Sequence, residues 1–308
     1  MKITKSGAYE IPEAGYHADC CPAPSLSASV ADLLLRKTPR HAWVASPKLN
    51  PGFQKRDEDK FRQGSALHSL ILEDAEPFVI VEEDNWQKKV AKEAKTEAFA
   101  AGKTPLLRRE YEDLRRCANT VRLQIQKHPE ASRAFKQGQA EQTLVWQEAG
   151  HWCRCRPDWL TPGGAIWDLK RTSVLPDKWA RHAFDMAYDL RVGFYRRAMR
   201  ALYQVENAPY FFLNVESTEP WAIYVTALGP EAVALADAKA HEAIRRWAYC
   251  MERNYWPGFV GEVHWVSPPP WEVLSWEEDK ARRDDARSQG KDLLQVALEW
   301  QAPLDKAS

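Results

Sequence analysis

The smallest unit in this chain that can do hydrolytic chemistry is an aspartate followed two residues later by a lysine. In Ile166-Trp-Asp-Leu-Lys-Arg-Thr172 apolar and polar residues alternate. Side chains two apart on a strand share a face, so Asp168 and Lys170 point one way with Ile166, and Trp167, Leu169 and Arg171 point the other. Upstream, Cys153-Arg-Cys-Arg-Pro-Asp158 ends a second strand at Asp158, and the turn signal Pro162-Gly-Gly164 returns the chain antiparallel. The two carboxylates are expected to meet across that pair. Two hard oxygen ligands suit Mg²⁺ or Mn²⁺, which keep several waters and take phosphate oxygens as further ligands. A lysine beside them can orient or deprotonate an attacking water and screen the charge that develops on phosphorus. Alone, Asp-x-Lys is a weak signal, because charges alternate on many exposed strand faces; the frame of two strands and a tight turn strengthens it.

The elements that must position these residues follow from periodicity. Ser25 to Leu35 reads as a helix entered through serine caps, and Phe61 to Glu73 as a helix that places His68 beside an apolar stripe. The Lys-, Glu-, Ala- and Arg-rich stretch 85–128, broken near Gly102 and Pro105, reads as charged, solvated helices decorating a core. Beyond Gly138 three adjacent strands are the simplest reading: EQTLVWQE, HWCRCRPDWL and AIWDLKRT. A long amphipathic helix is expected over 176–203, then strands YFFLNVES and WAIYVTAL, a helix over 230–254, and a segment rich in Trp and Pro from Trp256 to Trp271. There is no internal repeat.

The 308 residues carry 43 basic and 43 acidic side chains, a formal net charge of zero that ordinarily argues against a nucleic-acid partner. The average hides an asymmetry. From His151 to Arg200 there are ten basic residues against five acids, or +5, whereas the tail from Trp271 has nine acids against six bases, or -3. A local basic surface is expected in the first stretch. No run approaches the roughly 18 apolar residues of a membrane span, and no apolar region follows Lys2 and Lys5, so no secretory signal is expected. Six cysteines without CxxC spacing read as reduced, and the location as cytoplasmic. Cys153 and Cys155 alternate with Arg154 and Arg156 and read as small buried hydrophobes.

These motifs together resemble the PD-(D/E)xK nucleases, and within them the exodeoxyribonuclease VIII (RecE-like) family. QGSALHSLILE is similar to that family's Gly-x-x-x-His helix, CRCRPDWL to its Cys-Arg-Cys-Arg-Pro-Asp strand, IWDLKRT to its Asp-x-Lys-Thr strand, and YDLRVGFYRRAM to the helix that follows. The resemblance covers most of residues 25–275. It implies a mixed α/β (α+β) fold: a restriction-endonuclease-like core with a central mixed sheet flanked by helices and helical decoration. The expected division is an extension at 1–24, the nuclease domain at 25–275 with its catalytic core at about 61–228, and a charged tail at 276–308. By position, the resemblance implies Asp158 and Asp168 as metal ligands, Lys170 as the water-positioning residue, His68 as a further ligand and Glu141 in a supporting role. Related nucleases often carry Gln-x-x-x-Tyr on the following helix, where this chain has Arg191 and Tyr195. Tyr188, Arg191 and Tyr195 share a helix face, and an arginine there suits bidentate contact with a phosphate. The iron–sulfur cluster of some superfamily members is not expected, because only Cys250 lies beyond Cys155.

Each residue also fits a plainer role: His68 as a hydrogen-bonded histidine at a core boundary, Tyr188 and Tyr195 as core aromatics, Arg196, Arg197 and Arg200 as a solvated helix face. Base stacking and packing compete likewise for the fourteen tryptophans. The resemblance implies a Mg²⁺- or Mn²⁺-dependent exonuclease that degrades linear double-stranded DNA 5′ to 3′. It would leave 3′ single strand for a phage-type annealing protein in recombination, and would act as a homo-oligomer. The competing readings are an endonuclease of the same fold and a catalytically inactive DNA-binding protein.

Overall fold

The computed structural model describes residues 3–54, 62–73, 77–259, 261 and 263–292. Phe61, the expected start of the helix carrying His68, and the tail residues 293–308 lie outside these. By internal contacts the chain divides into Met1–Phe259 and Val260–Ser308.

The first unit runs β1 (Gly7–Tyr9), α1 (Glu13–His17), β2 (Ser25–Leu26), α2 (Ala28–Arg36), α3 (Pro39–Val44), α4 (Arg62–His68), β3 (Phe78–Val81), α5 (Lys89–Ala100), β4 (Thr104–Leu107) and α6 (Arg108–Lys127). It continues with α7 (Ala131–Ala134), β5 (Gln139–Ala140), β6 (Thr143–Glu148), β7 (His151–Cys155), β8 (Trp159–Leu160), β9 (Ile166–Thr172), α8 (Trp179–Asp185), α9 (Tyr188–Tyr203), β10 (Tyr210–Glu216), β11 (Ile223–Thr226) and α10 (Pro230–Arg253). The second unit holds α11 (Pro270–Ser288), which exposes Trp271, Leu274 and Trp276.

Mixed sheets flanked by helices make up the core, in the orders β1-β6-β7-β2 and β11-β10-β9-β8-β5, with β3 and β4 as a separate parallel pair. The three strands expected side by side are not in one sheet. β6 pairs with β7 in the four-stranded sheet, while β9 lies in the five-stranded sheet beside β8 and, in parallel, β10. The reason is a break in both arms of one long hairpin. Glu141 takes a left-handed backbone, φ 51, between β5 and β6. Opposite it, Arg156-Pro157-Asp158 interrupts β7 and β8, and Pro157 has no N–H to continue the ladder. Across the break the Glu141 N–H still donates to the Asp158 carbonyl at 3.1 Å. The hairpin therefore passes from one sheet to the other at these two acids.

β9 and β10 are largely buried on both faces, as strands between helices are, and two cores result. Ile166 and Phe212 pack with Leu34, Phe194, Ala240 and Trp247 of α2, α9 and α10. Trp167, Leu169, Leu213 and Val215 pack with Leu67 of α4 and with Leu114, Cys117 and Val121 of α6. Helix α6 is thus a wall of the second core rather than decoration: Tyr111, Leu114, Ala118, Val121 and Ile125 recur every three or four residues, a stripe masked by the charges around it. The helix expected over 176–203 is also divided, into a short 3₁₀ turn, α8 and α9, because Ala187 adopts a left-handed φ of 53.

Candidate active site

Strand β8 spans only two residues, paired Trp159 to Trp167 and Leu160 to Ile166. Past Trp167, β9 keeps β10 on one side but has no strand on its β8 side, and the main-chain groups of Leu169 that face that side need other partners. Side chains supply them. The Leu169 N–H donates to Asp158 Oδ2 at 2.7 Å, and its carbonyl accepts from His68 Nε2 at 2.9 Å. A carbonyl can only accept, so Nε2 carries a hydrogen, and whenever the ring is neutral its Nδ1 lone pair points the other way. There Nδ1 lies 3.6 Å from Glu141 Oε1 and 3.7 Å from Asp158 Oδ2. His68 can present this atom because the α-helix ends at it and a π-helical turn, Ser69–Glu73, follows, a local widening frequent at functional sites. Burial pushes the His68 pKa down, but the Asp158 and Glu141 carboxylates outweigh it and the net shift is upward.

Among the described residues, His68, Glu141 and Asp158 offer ligand atoms all within 4.8 Å of one another. Two carboxylates and one imidazole form a hard, largely oxygen donor set that fits Mg²⁺ or Mn²⁺. The Nε2–H bond to Leu169 is the outer partner that orients a ligating histidine. The left-handed conformation of Glu141 is a strain on the order of 1–3 kcal/mol, of the kind that clusters at functional sites.

Asp168 and Lys170 share the opposite face of β9, as alternation requires, against α9. Asp168 is buried to 2% exposure and outside that three-ligand group. One of its oxygens is bound by Lys170 Nζ; the other accepts from Tyr210 Oη at 2.7 Å and from Arg191 at 3.4 Å. Burial, then the Arg191 guanidinium, pull the Lys170 pKa down to about 7, against Asp158 and Glu141. The Lys170 ammonium also stands 5.3 Å over the Tyr188 ring.

Of the residues expected to meet DNA, Arg191 remains 35% exposed. Tyr195 does not fit that role: it is buried, edge-on to Tyr210, and donates to the Arg156 carbonyl at 3.3 Å. Tyr188 stacks on Phe212 and supports Lys170 and Arg191 from beneath. The expected basic surface is largely consumed inside the fold. Arg154 pairs with Asp19, Arg156 with Glu141, Arg196 with Asp237 and Arg197 with Glu148, while Arg200 pairs with Glu206 at the surface. Cys153 and Cys155 are fully buried, as expected.

Tyr210 and Arg156 were not singled out from the sequence. Tyr210 opens a strand that reads only as core, and its reach to Asp168 follows from the parallel register that sets it opposite Ile166. Arg156 stood in view beside Pro157 and Asp158, but nothing in its neighbourhood along the chain named its partner.

Residues 35–267 match the family described as PDDEXK-like domain of unknown function (DUF3799). No curated protein matches the sequence. A crystal structure from Eubacterium rectale, described as a "Putative exonuclease", aligns with a TM-score of 0.56 over 87% of this chain and 98% of that one, at 13% identity. That likeness is one of fold.

Proposed function

The chain belongs to the PDDEXK-like family DUF3799, within the PD-(D/E)xK nuclease superfamily, and from that premise we propose that it is a divalent-metal-dependent DNA nuclease. The observation that carries the reading is the convergence of His68, Glu141 and Asp158 at the open edge of β9, with Asp168 and Lys170 on the same strand. The family and the fold of the Eubacterium rectale protein support it.

His68, Glu141 and Asp158 would hold Mg²⁺ or Mn²⁺, and Asp168 would join them once Lys170 lets go of its oxygen. When bound, such a cation would supply Lewis acidity. Lys170, whose burial favours the neutral amine, orients the attacking water and in that neutral form accepts its proton. The water oxygen bonds to phosphorus, the bond to the leaving ester oxygen breaks, and that oxygen takes a proton from solvent water, leaving one phosphate monoester and one hydroxyl. Arg191 contacts a substrate phosphate from the rim.

The finer reading is an exonuclease on linear duplex, running 5′ to 3′ and leaving 3′ single strand for an annealing protein in recombination. It is supported by the RecE-like motifs and by the description of the structural relative. End-labelled linear duplex and covalently closed circles, digested with and without Mg²⁺, test it. Loss of linear DNA alone, only with Mg²⁺ and with the 5′ label released first, is the expected result. Cut circles would make the protein an endonuclease of the same fold, and binding without cleavage a DNA-binding protein.

A further inference from the structure

The ion pair that involves the cation cluster most directly belongs to a residue given no role above. Arg156 Nε donates to Glu141 Oε2 at 2.6 Å, while Glu141 Oε1 is the oxygen that faces His68 Nδ1. One carboxylate oxygen is thus engaged and the other is turned toward the cluster. Arg156 is held from three further directions. Its Nη1 donates to the main-chain carbonyl of Ile11 at 2.5 Å and reaches Thr143 Oγ1 at 3.5 Å, and its own carbonyl accepts from Tyr195 Oη. The two side chains are only 14% and 19% exposed, so solvent does little to loosen the pair.

Two physical considerations separate this pair from an ordinary structural bridge. A buried pair is weak as a source of stability, because desolvating both charges offsets most of their attraction. This one also sits on the strained left-handed residue that carries the carboxylate, where an unrestrained side chain would have several rotamers to choose from. The rigid guanidinium fork selects one of them. The second contact, to Ile11, brings residues before Leu26 to the rim of the site.

We propose that Arg156 is a positioning residue, which takes up one oxygen of Glu141 and sets the other into the cation cluster, braced by the main chain at Ile11. The proposal rests on the reading of His68, Glu141 and Asp158 as cation ligands. It places a requirement on arginine rather than on positive charge, since a lysine ammonium on a flexible stem cannot span Glu141 and the Ile11 carbonyl together.

Titration of the full chain with Mn²⁺, followed calorimetrically without DNA, tests it. R156K keeps the charge and so does not make the cluster more negative. It is expected to weaken Mn²⁺ binding tenfold or more, the range seen when outer partners of metal ligands are changed, with the melting temperature of the metal-free protein unchanged. In an E141Q background the same change is expected to do nothing further, because the carboxylate it acts through is gone. Where R156K does not fold, R156Q takes its place in both backgrounds. Equal Mn²⁺ affinity in R156K and the parent, or equal weakening in both backgrounds, overturns the positioning role. A parent protein that takes up no Mn²⁺ overturns the cation reading itself and the proposal with it.

Discussion

Burial decides which substitutions at the site report on chemistry. Lys170 is reached by truncation without emptying a core, and K170A is expected to lower cleavage by about 10²-fold or more with the fold retained, the usual scale for losing one electrostatic element at a reaction centre. Asp168 differs, because it is buried under Lys170, Arg191 and Tyr210. An alanine there would leave the Lys170, Arg191 and Tyr210 donors with no acceptor, whereas asparagine keeps the shape and one acceptor oxygen. D168N is therefore the informative change, with a similar loss of rate expected in a protein whose circular dichroism is unchanged. Near-parental cleavage by either folded variant would remove these residues from the reaction. At Arg191 the question is whether the guanidinium serves the substrate or only tethers Asp168. R191A is expected to weaken duplex binding and reduce the salt slope of affinity by about one unit, with R191Q retaining more activity. An unchanged slope would leave the arginine as a tether.

At the level of elements, the site depends on a strand that stops early. Because β8 is two residues long, the open edge of β9 must be completed by Asp158 and His68, so the same hydrogen bonds that satisfy Leu169 also aim the ligands. Helix α4 brings His68 to that edge, and α4 in turn leans on α6. L114A, in the stripe by which α6 joins the second core, is expected to cost about 2–5 kcal/mol in urea unfolding. A loss near zero would return α6 to the status of a solvated decoration. That stripe was present in the sequence, but the flanking arginines and glutamates gave the segment the look of a surface helix. The alternation in 166–172, by contrast, was readable directly, since two-residue periodicity fixes faces whatever the strand's neighbours.

For the whole molecule, zero net charge has a structural counterpart: the arginines of 151–200 are mostly spent on internal pairs, so long-range attraction for DNA is modest. We propose that a nuclease so equipped stays on its strand as a homo-oligomer, for which the second unit offers apolar surface in Val263, Trp265, Val266 and Trp271, all exposed. Light scattering at working concentration is expected to show a multimer that W265S and W271S together weaken. A monomeric parent would refute the assembly.

By itself the sequence determined what local chemistry and periodicity can carry. Asp158 precedes a tight turn, Asp168 and Lys170 share a strand face, His68 lies on a helix, Cys153 and Cys155 are apolar filler, and the RCRPD and DLK motifs indicate a PD-(D/E)xK fold. Only the tertiary structure decided which groups meet. It placed Glu141 among the candidate ligands, tied Asp168 to Tyr210 and Lys170, buried Tyr195, and paired Arg156 with Glu141. The reason is that periodicity specifies a direction relative to the chain, whereas a partner fifteen to a hundred residues away is specified by strand register, the kink of a hairpin and the packing of helices across a sheet.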